Sequence, residues 1–598
     1  MKQKDIFATL ILIMLVGFFV CPLLLPGRGA LSLFPKNTLR DGNYLDLAMI
    51  RRSVFEDGRL PLWAPGYEGG IPVFAHPAET SLNPVSTVLI GLFHDEVLVD
   101  NMTWAVFYLL AACSMYYLCR YVLCFNILGA LLSSVVFSMN GLFPYLQENG
   151  FSEARSILLL PLLAAFFLKT KDNRSFIVYS GMILAFIALE ASLFVPVIAL
   201  FLFFGALSDS FRYRDHGIRL ETGAFRALFS VLVLAFLLAC IKLLPVFLTF
   251  GTQVRPPGVI YSSYISNPNT FELLFVRLLC PIKAFPTLFV GVVPVVLCVL
   301  ASFVYFRKMK AYVIGLVLAV WFSFGPNAVP DLNKMLWYLP FFHEMKEIPK
   351  YYGLFIVFFI SVLSGSFLVF LDKFRWRVVT RLLGSFIIAV VFANLAWSNM
   401  SYFNSFNTDL GDIDKAHNRD FFNMEILNGH PGDESIATPL SYFLYKENIG
   451  LINQHTKFQD LTPVSPRFFL LPGYAFLAPY TSFLVLPNPF YKGEAYLLAP
   501  GSRISAVQFS SNRLVLDIDT QGPDRLVLNQ NYDSGWSVSQ GIVEKYDGLL
   551  SVRLDKAVHC RIRMSYLPVS FVLGLIISLL ALAGSIIYLI RVNARCRS

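Results

Sequence analysis

"IFATLILIMLVGFFVCPLLL", residues Ile6 to Leu25, runs for twenty residues without a charged side chain. A helix rises about 1.5 Å per residue, so this run reaches about 30 Å, the thickness of a bilayer's hydrocarbon core. Lys2 and Lys4 in front of it look like the start of a secretory signal, but the apolar part has spanning length and reads as an uncleaved first span. The rest of the chain follows suit: 56% of residues are hydrophobic and 15% aromatic, and only 15% are charged. Mean hydropathy is +0.62, outside the soluble globular range.

Working outward by hydropathy predicts a polytopic α-helical membrane protein with about twelve spans. They fall near Ile6–Leu25, Met102–Leu123, Ile127–Leu146, Ile157–Leu168, Phe176–Leu189, Ser192–Leu207, Ala227–Phe250, Phe285–Phe306, Tyr312–Phe324, Tyr352–Leu371, Leu382–Trp397 and Phe571–Ile590. The basic clusters at Lys2/Lys4, Lys169/Lys171/Arg174, Arg212/Arg214/Arg219, Arg307/Lys308/Lys310, Lys373/Arg375/Arg377/Arg381 and Arg591/Arg595/Arg597 then share one side. The positive-inside rule makes that side, and both termini, cytoplasmic in a plasma-membrane protein. The same rule accounts for the net charge of +9, so nucleic acid is not an expected partner.

Two outer segments stand out. Residues 400–567 change to strand-like alternation in "RLVLDIDT", "RLVLNQNY" and "LLSVRLDK", separated by turn formers such as Gly522, Pro523, Asp547 and Gly548. A small antiparallel β sandwich is expected in the second half of this domain. The first half, with "DLTPVSPRFFLLPGYAFLAPY", stays unassigned. Residues 568–598 form a last span and a basic tail, and 1–399 the main membrane module. Of the nine cysteines, only Cys280 and Cys560 are placed to face an oxidising compartment, and no Cys/His cluster suggests zinc.

The other segment is the first outer loop, 26–101. A helix over Gly42 to Asp57 would set Asp46, Ser53 and Asp57 near one polar stripe, with Leu47, Ile50 and Val54 on an apolar flank, as in a helix lying in the interface. Asp41 stands at its N-terminal edge, either as a cap or as a general base. "GRLPLWAPGYEGGIPVFAHPAETSLNP" downstream reads as a folded loop with Trp63, Tyr67 and His76 near the membrane surface, as a sugar platform or as interface anchors. Further on, Lys242 lies inside an apolar segment. A charge there costs about 3 kcal/mol and marks function unless it snorkels to the interface. "LQENGFSEARS" offers Glu148 and Glu153, as catalytic acids or as plain loop charge.

These residues carry a resemblance. Asp41, "GRLPLWAPGYEGGIP" and "LNP" resemble the first extracytoplasmic loop of the bacterial YfhO-type membrane proteins, a family similar to the GT-C glycosyltransferases. "CIKLLPVF" (Cys240–Phe247) followed by Arg255 is similar to that family's Gln-Leu-Leu-Pro segment, with Lys242 in place of the usual glutamine. "RLVLNQNYDSGW" with "YLPVSFVLGLIISLLAL" is similar to its closing sandwich, Gly-Trp motif and last span. In "HEMKEIPKYY", Lys346 and Lys350 stand near positions where the family tends to carry arginines.

The resemblance implies a GT-C-like fold and inverting transfer of a sugar from a polyprenyl-phosphate carrier to an acceptor hydroxyl on the outer face. Asp41 would be the general base. Glu153, the closer match, or Glu148 would orient the acceptor or hold a divalent cation with Asp41. Lys242, Arg255, Lys346 and Lys350, with Trp63 and His76, would contact the substrate, and the cations would stabilise the departing phosphate. The partners would be the lipid carrier, membrane lipid, and an envelope glycan, lipid or protein acceptor. Two other readings fit the span count: a lipid-linked sugar flippase or transporter, and a non-catalytic envelope assembly protein.

Overall fold

The structure is a computed structural model, and it describes residues 3–24, 40–76, 80–214, 217–220, 222–250, 261, 265–281, 287–339, 342, 345–373, 377–403, 421–426, 448–452, 463–471 and 484–595. Helical residues occupy each predicted apolar run. Among the described residues, seven helices are long and apolar enough to cross a membrane, or eight if the pair Gly223–Leu238 and Cys240–Leu248, bent by 82°, counts as one. The apolar helices Ser175–Glu190, Ser192–Ser208 and Val292–Val304 are shorter. The chain is thus a multi-pass membrane protein, and among the described residues seven or eight of the twelve predicted runs are full-length spans. Pro161 stands in the first turn of the helix Leu160–Lys169, where a proline is tolerated, after the 3-10 helix Ser156–Leu159, and Gly291, at φ +81°, marks where the predicted run Phe285–Phe306 begins its helix late, at Val292.

Packing ranks the helices. Of the best apolar window in Ile348–Leu371, 78% is buried inside the protein, against 11% for Val569–Val592. Ile348–Leu371 therefore lies in the middle of the bundle together with Ile127–Glu148, whose window is 89% buried, and Val569–Val592 lies at its edge with Leu573, Leu580 and Ile590 turned outward. Aromatic stacking fixes the centre: Phe201 lies flat on Phe355 at 3.9 Å and Phe322 on Tyr352 at 5.2 Å.

The C-terminal sheet domain has two four-stranded antiparallel sheets. One orders Arg503–Ser510, Arg513–Asp519, His559–Tyr566 and Trp536–Val538; the other orders Ile542–Tyr546, Leu549–Leu554, Asp524–Asn531 and Ala495–Leu497. Alternate residues of both, including Leu514, Leu516, Leu526, Leu528, Leu550 and Ile562, share one core, as period-two alternation requires. A third four-stranded sheet occupies the segment the sequence left unassigned. Its strands Ile449–Ile452, Phe422–Ile426 and Phe468–Leu471 pair in parallel, and Leu484–Pro487 closes it antiparallel. Parallel strands need long connections and show no short-range hairpin signal, so the local sequence could not reveal them.

The first loop does not lie free in the interface. The helix expected over Gly42 to Asp57 runs as an α-helix, Arg40–Ile50, that continues without a break into a π-helical turn, Arg51–Glu56. Leu47 and Ile50 pack against Ile90 and Val99, while Leu45 and Met49 pack against Ala64, Ile71 and Val73. Buried on both sides, the helix is part of the protein interior.

Candidate functional site

Residues 60–70 of the loop are bolted to the sheet domain. Asn512, at φ +64° in the turn between two strands, accepts from the backbone N–H of Leu62 at 2.8 Å and of Trp63 at 2.7 Å, and its amide donates to Leu60 O at 2.5 Å. The Asn531 amide donates to the carbonyls of Glu68 and Gly70 at 2.8 and 3.0 Å. Glu68 N–H donates to Leu451 O at 3.0 Å, so the loop also extends the parallel sheet. Trp63, 2% exposed, sits with its ring centroid 5.5 Å from Trp536 and 4.8 Å from Tyr566. Gly70, at φ +101°, has no room for a side chain: a Cβ would lie 2.6 Å from the Trp63 ring.

On the membrane side, two pairs of sequence-predicted residues come together. Lys350, in the first turn of Ile348–Leu371, and Glu153, in the short helix Ser152–Ala154, are 5% and 8% exposed and form an ion pair at 3.2 Å. The Lys350 Nζ also lies 3.2 Å from the Phe151 ring centroid, with Tyr351 and Phe194 at 5.5 and 5.9 Å. An aromatic box thus holds the ammonium against the carboxylate. Lys242, 0% exposed just beyond the 82° bend, donates to His76 O at 2.7 Å and so pins the first loop at His76 to the bent helix. Lys346 is exposed, and its carbonyl accepts from Ser266 N–H at 2.9 Å. Glu148 ends the helix Leu142–Glu148 and is half-buried. Asp41 is the second residue of the Arg40–Ile50 helix, but its side chain lies outside the described residues, as does all of Arg255.

A third cluster was missed in the sequence. Arg155, 1% exposed, donates from Nη1 to Asp100 Oδ1 and from Nε to Glu190 Oε1, both at 3.0 Å. Glu190 also accepts from Asn83 Nδ2 at 2.8 Å and from Ser156 N–H at 3.0 Å. Asn83 is the asparagine of "LNP" and caps the helix Pro84–Leu92. The network ties the loop to the segment carrying Glu153, because Arg155 Nε also donates to Ser152 O at 3.0 Å. The signal was present: Asp100, Arg155 and Glu190 are ionisable residues within or beside apolar runs. Arg277 is buried too, donating to Asn269 Oδ1 at 2.5 Å, and burial lowers its pKa to about 10.

Among the described residues, no group of three or more His, Cys, Asp or Glu side chains converges as a metal site would. Glu153 faces an ammonium, which suits a charge pair better than a cation ligand.

No family model matches the chain, and no curated protein matches it. Among solved structures, it is similar to the arabinofuranosyltransferase AftD from Mycobacteria at 12% identity and TM-score 0.47, over 94% of this chain and 40% of that one. It is similar to ArnT from Cupriavidus metallidurans, bound to undecaprenyl phosphate, at 13% identity and TM-score 0.39, over 79% of this chain and 93% of that one. The archaeal oligosaccharyltransferase AglB from Archaeoglobus fulgidus, in complex with an inhibitory peptide and a dolichol-phosphate, follows at 13% identity and TM-score 0.40, over 71% and 63%. The chain spans two fifths of AftD's length. Scores below 0.5 are a general likeness of shape, and the functional reading rests on the chain's own residues.

Proposed function

We propose that this chain is a membrane glycosyltransferase that moves a sugar from a polyprenyl-phosphate carrier to an acceptor hydroxyl on the extracytoplasmic face, with inversion. The observation that carries the reading is the Glu153–Lys350 pair at 3.2 Å. Two residues 197 positions apart, one a candidate acid and the other a candidate phosphate cation, meet in a buried aromatic box at the head of the central helix.

In this reading the Asp41 carboxylate takes the proton of the acceptor hydroxyl as its oxygen bonds to the anomeric carbon. The bond from that carbon to the phosphate oxygen breaks, and its electron pair stays on the leaving polyprenyl phosphate. Lys350 and Lys242, held in place before the carrier arrives, stabilise the growing negative charge. Arg255 and Lys346 are further cations for the phosphate, with Glu148 and His76 around the acceptor. Glu153 keeps the Lys350 ammonium oriented. The network of Asn83, Glu190, Arg155 and Asp100 supports this arrangement, because it joins the loop carrying Asp41 to the segment carrying Glu153.

The reading also takes residues 1–399 as the membrane module with the catalytic loop 26–101, 400–567 as an extracytoplasmic domain whose paired sheets form a β sandwich, and 568–598 as the last span and a cytoplasmic tail. Comparing envelope glycans from cells carrying wild type or Asp41→Asn tests it. Loss of one glycosidic linkage at equal protein level supports transfer, and an unchanged glycan profile refutes Asp41 as the base.

A further inference from the structure

Positive charge converges at the end of the bundle opposite the Glu153–Lys350 pair. Lys350 is in the first turn of the 24-residue helix Ile348–Leu371, and Lys373 lies just past its last turn. At 1.5 Å per residue the two stand about 35 Å apart, more than the hydrocarbon thickness of a bilayer. Here the apolar helices Val292–Val304 and Phe306–Phe324 meet at Tyr305, whose ring is half-buried. The Lys308 Nζ lies 5.5 Å from the centroid of that ring and the Lys373 Nζ 4.6 Å from it, both within cation–π reach. Two ammoniums drawn to one ring are at most about 10 Å apart, close to the Debye length of about 8 Å at physiological salt, so each feels the other's repulsion. Both are exposed, and among the described residues neither has an ion pair with a carboxylate. Arg307 and Lys310 add two positive charges beside them in the sequence, and Asp372 a single negative one. The 19-residue helix Phe306–Phe324 also begins at this point without a side-chain cap, which adds the positive end of its dipole. Topology accounts for basic residues on one membrane face. It does not account for their convergence on one ring.

We propose that Tyr305, Lys308 and Lys373 form a headgroup site for an anionic glycerophospholipid of the leaflet on that side. A phosphate between the two ammoniums relieves their repulsion, and basic pockets between membrane helices suit such headgroups. The surface beside the ring identifies the anion as a lipid. Val296, Val299, Leu300, Phe303 and Val304 are all exposed, and their spacing places them on one helix face. This apolar stripe runs along Val292–Val304 toward Tyr305, and Phe303, 79% exposed, stands two residues before the ring. An acyl chain laid along the stripe brings its phosphate to the level of the two lysines. A soluble phosphate makes no use of the stripe, and a zwitterionic headgroup brings an ammonium of its own into a region that is already positive. The site lies across the membrane from the proposed transfer chemistry and does not depend on that reading.

Native mass spectrometry of the full chain, released from detergent micelles, tests the site by titration with phosphatidylglycerol, phosphatidylcholine of the same acyl chains, and glycerol 3-phosphate. Phosphatidylglycerol should bind at least tenfold more tightly than phosphatidylcholine. Lys308→Gln/Lys373→Gln should erase that preference while leaving the phosphatidylcholine adducts unchanged, which shows that the variant is still folded. Arg307→Gln/Lys310→Gln removes the same charge from the same end of the bundle and should change the preference less than threefold. Equal affinity for the two lipids, a preference that survives Lys308→Gln/Lys373→Gln, an equal loss in Arg307→Gln/Lys310→Gln, or glycerol 3-phosphate held as tightly as phosphatidylglycerol overturns the assignment.

Discussion

Removing one member of the Glu153–Lys350 pair should cost both stability and turnover, and removing both should restore only stability. At 3.2 Å and an effective dielectric constant of about 20, the gross attraction is about 5 kcal/mol. Glu153→Gln strands the ammonium in a box that is nearly closed to water, and breaking such a buried pair costs about 3–5 kcal/mol. Lys350→Met strands the carboxylate and also gives up the contact over Phe151, which adds up to about 2 kcal/mol. The double variant Glu153→Gln/Lys350→Met leaves no bare charge and should recover most of the loss, since replacing a buried ion pair by apolar groups is often close to neutral. The assay is unfolding of each purified variant in detergent by denaturant titration, run beside a transfer assay. The double variant should fold like wild type and still turn over slower by about 10²–10³, the usual effect of losing one preorganised charge donor. Single variants as stable as wild type, or a double variant with normal turnover, would refute the reasoning.

Three further outcomes are expected. Asn512→Ala removes three hydrogen bonds that hold residues 60–63; at about 1 kcal/mol each, unfolding in detergent should show a loss of about 3 kcal/mol, and no loss would mean that the loop is held by packing alone. Glu494 is buried among Asn423, Tyr491 and Asn529, and burial raises its pKa from 4.5 to about 7. Its folded form therefore holds a proton that the unfolded chain has lost. Its contribution to stability is complete below pH 4.5, falls as pH rises through about 7, and amounts to about 3 kcal/mol over that span. Melting curves at pH 5.5 and 8 should differ less for Glu494→Gln than for wild type. Asn83→Ala removes the cap of Pro84–Leu92, at about 1 kcal/mol of stability, and releases the loop from Glu190 while the ion pairs of Arg155 stay in place; Asn83→Asp, which keeps a cap but cannot donate to Glu190, should still lower kcat.

The sheet domain was legible where structure is local. "RLVLDIDT", "RLVLNQNY" and "LLSVRLDK" alternate with period two, and each is a strand with its apolar residues in the shared core. The membrane character was legible from hydropathy alone, but span length was not. The bend after Leu238 and the short Val292–Val304 helix depend on tertiary packing that no window of sequence contains. Among the candidate residues, residue type pointed to Lys242, since a charge inside an apolar segment needs a reason to be there, whereas Lys350 and Glu153 came from the family resemblance. Their partners were hidden, because sequence gives no distance between Glu153 and Lys350 or between Arg155 and Asp100. Trp63 shows the opposite effect. Near the membrane it suggested a sugar platform or an interface anchor, and the fold packs most of its ring against Trp536 and Tyr566.

Reconstitution decides most directly between transfer and transport. Proteoliposomes holding the full chain would receive radiolabelled polyprenyl-phosphate hexoses and N-acetylhexosamines, with envelope extract as acceptor on the outer side. A transferase releases free polyprenyl phosphate in step with a new glycosidic bond of inverted configuration, and Asp41→Asn slows both by about 10²–10⁴. Label that crosses the bilayer still joined to its lipid, or an Asp41→Asn variant with the wild-type rate, contradicts it.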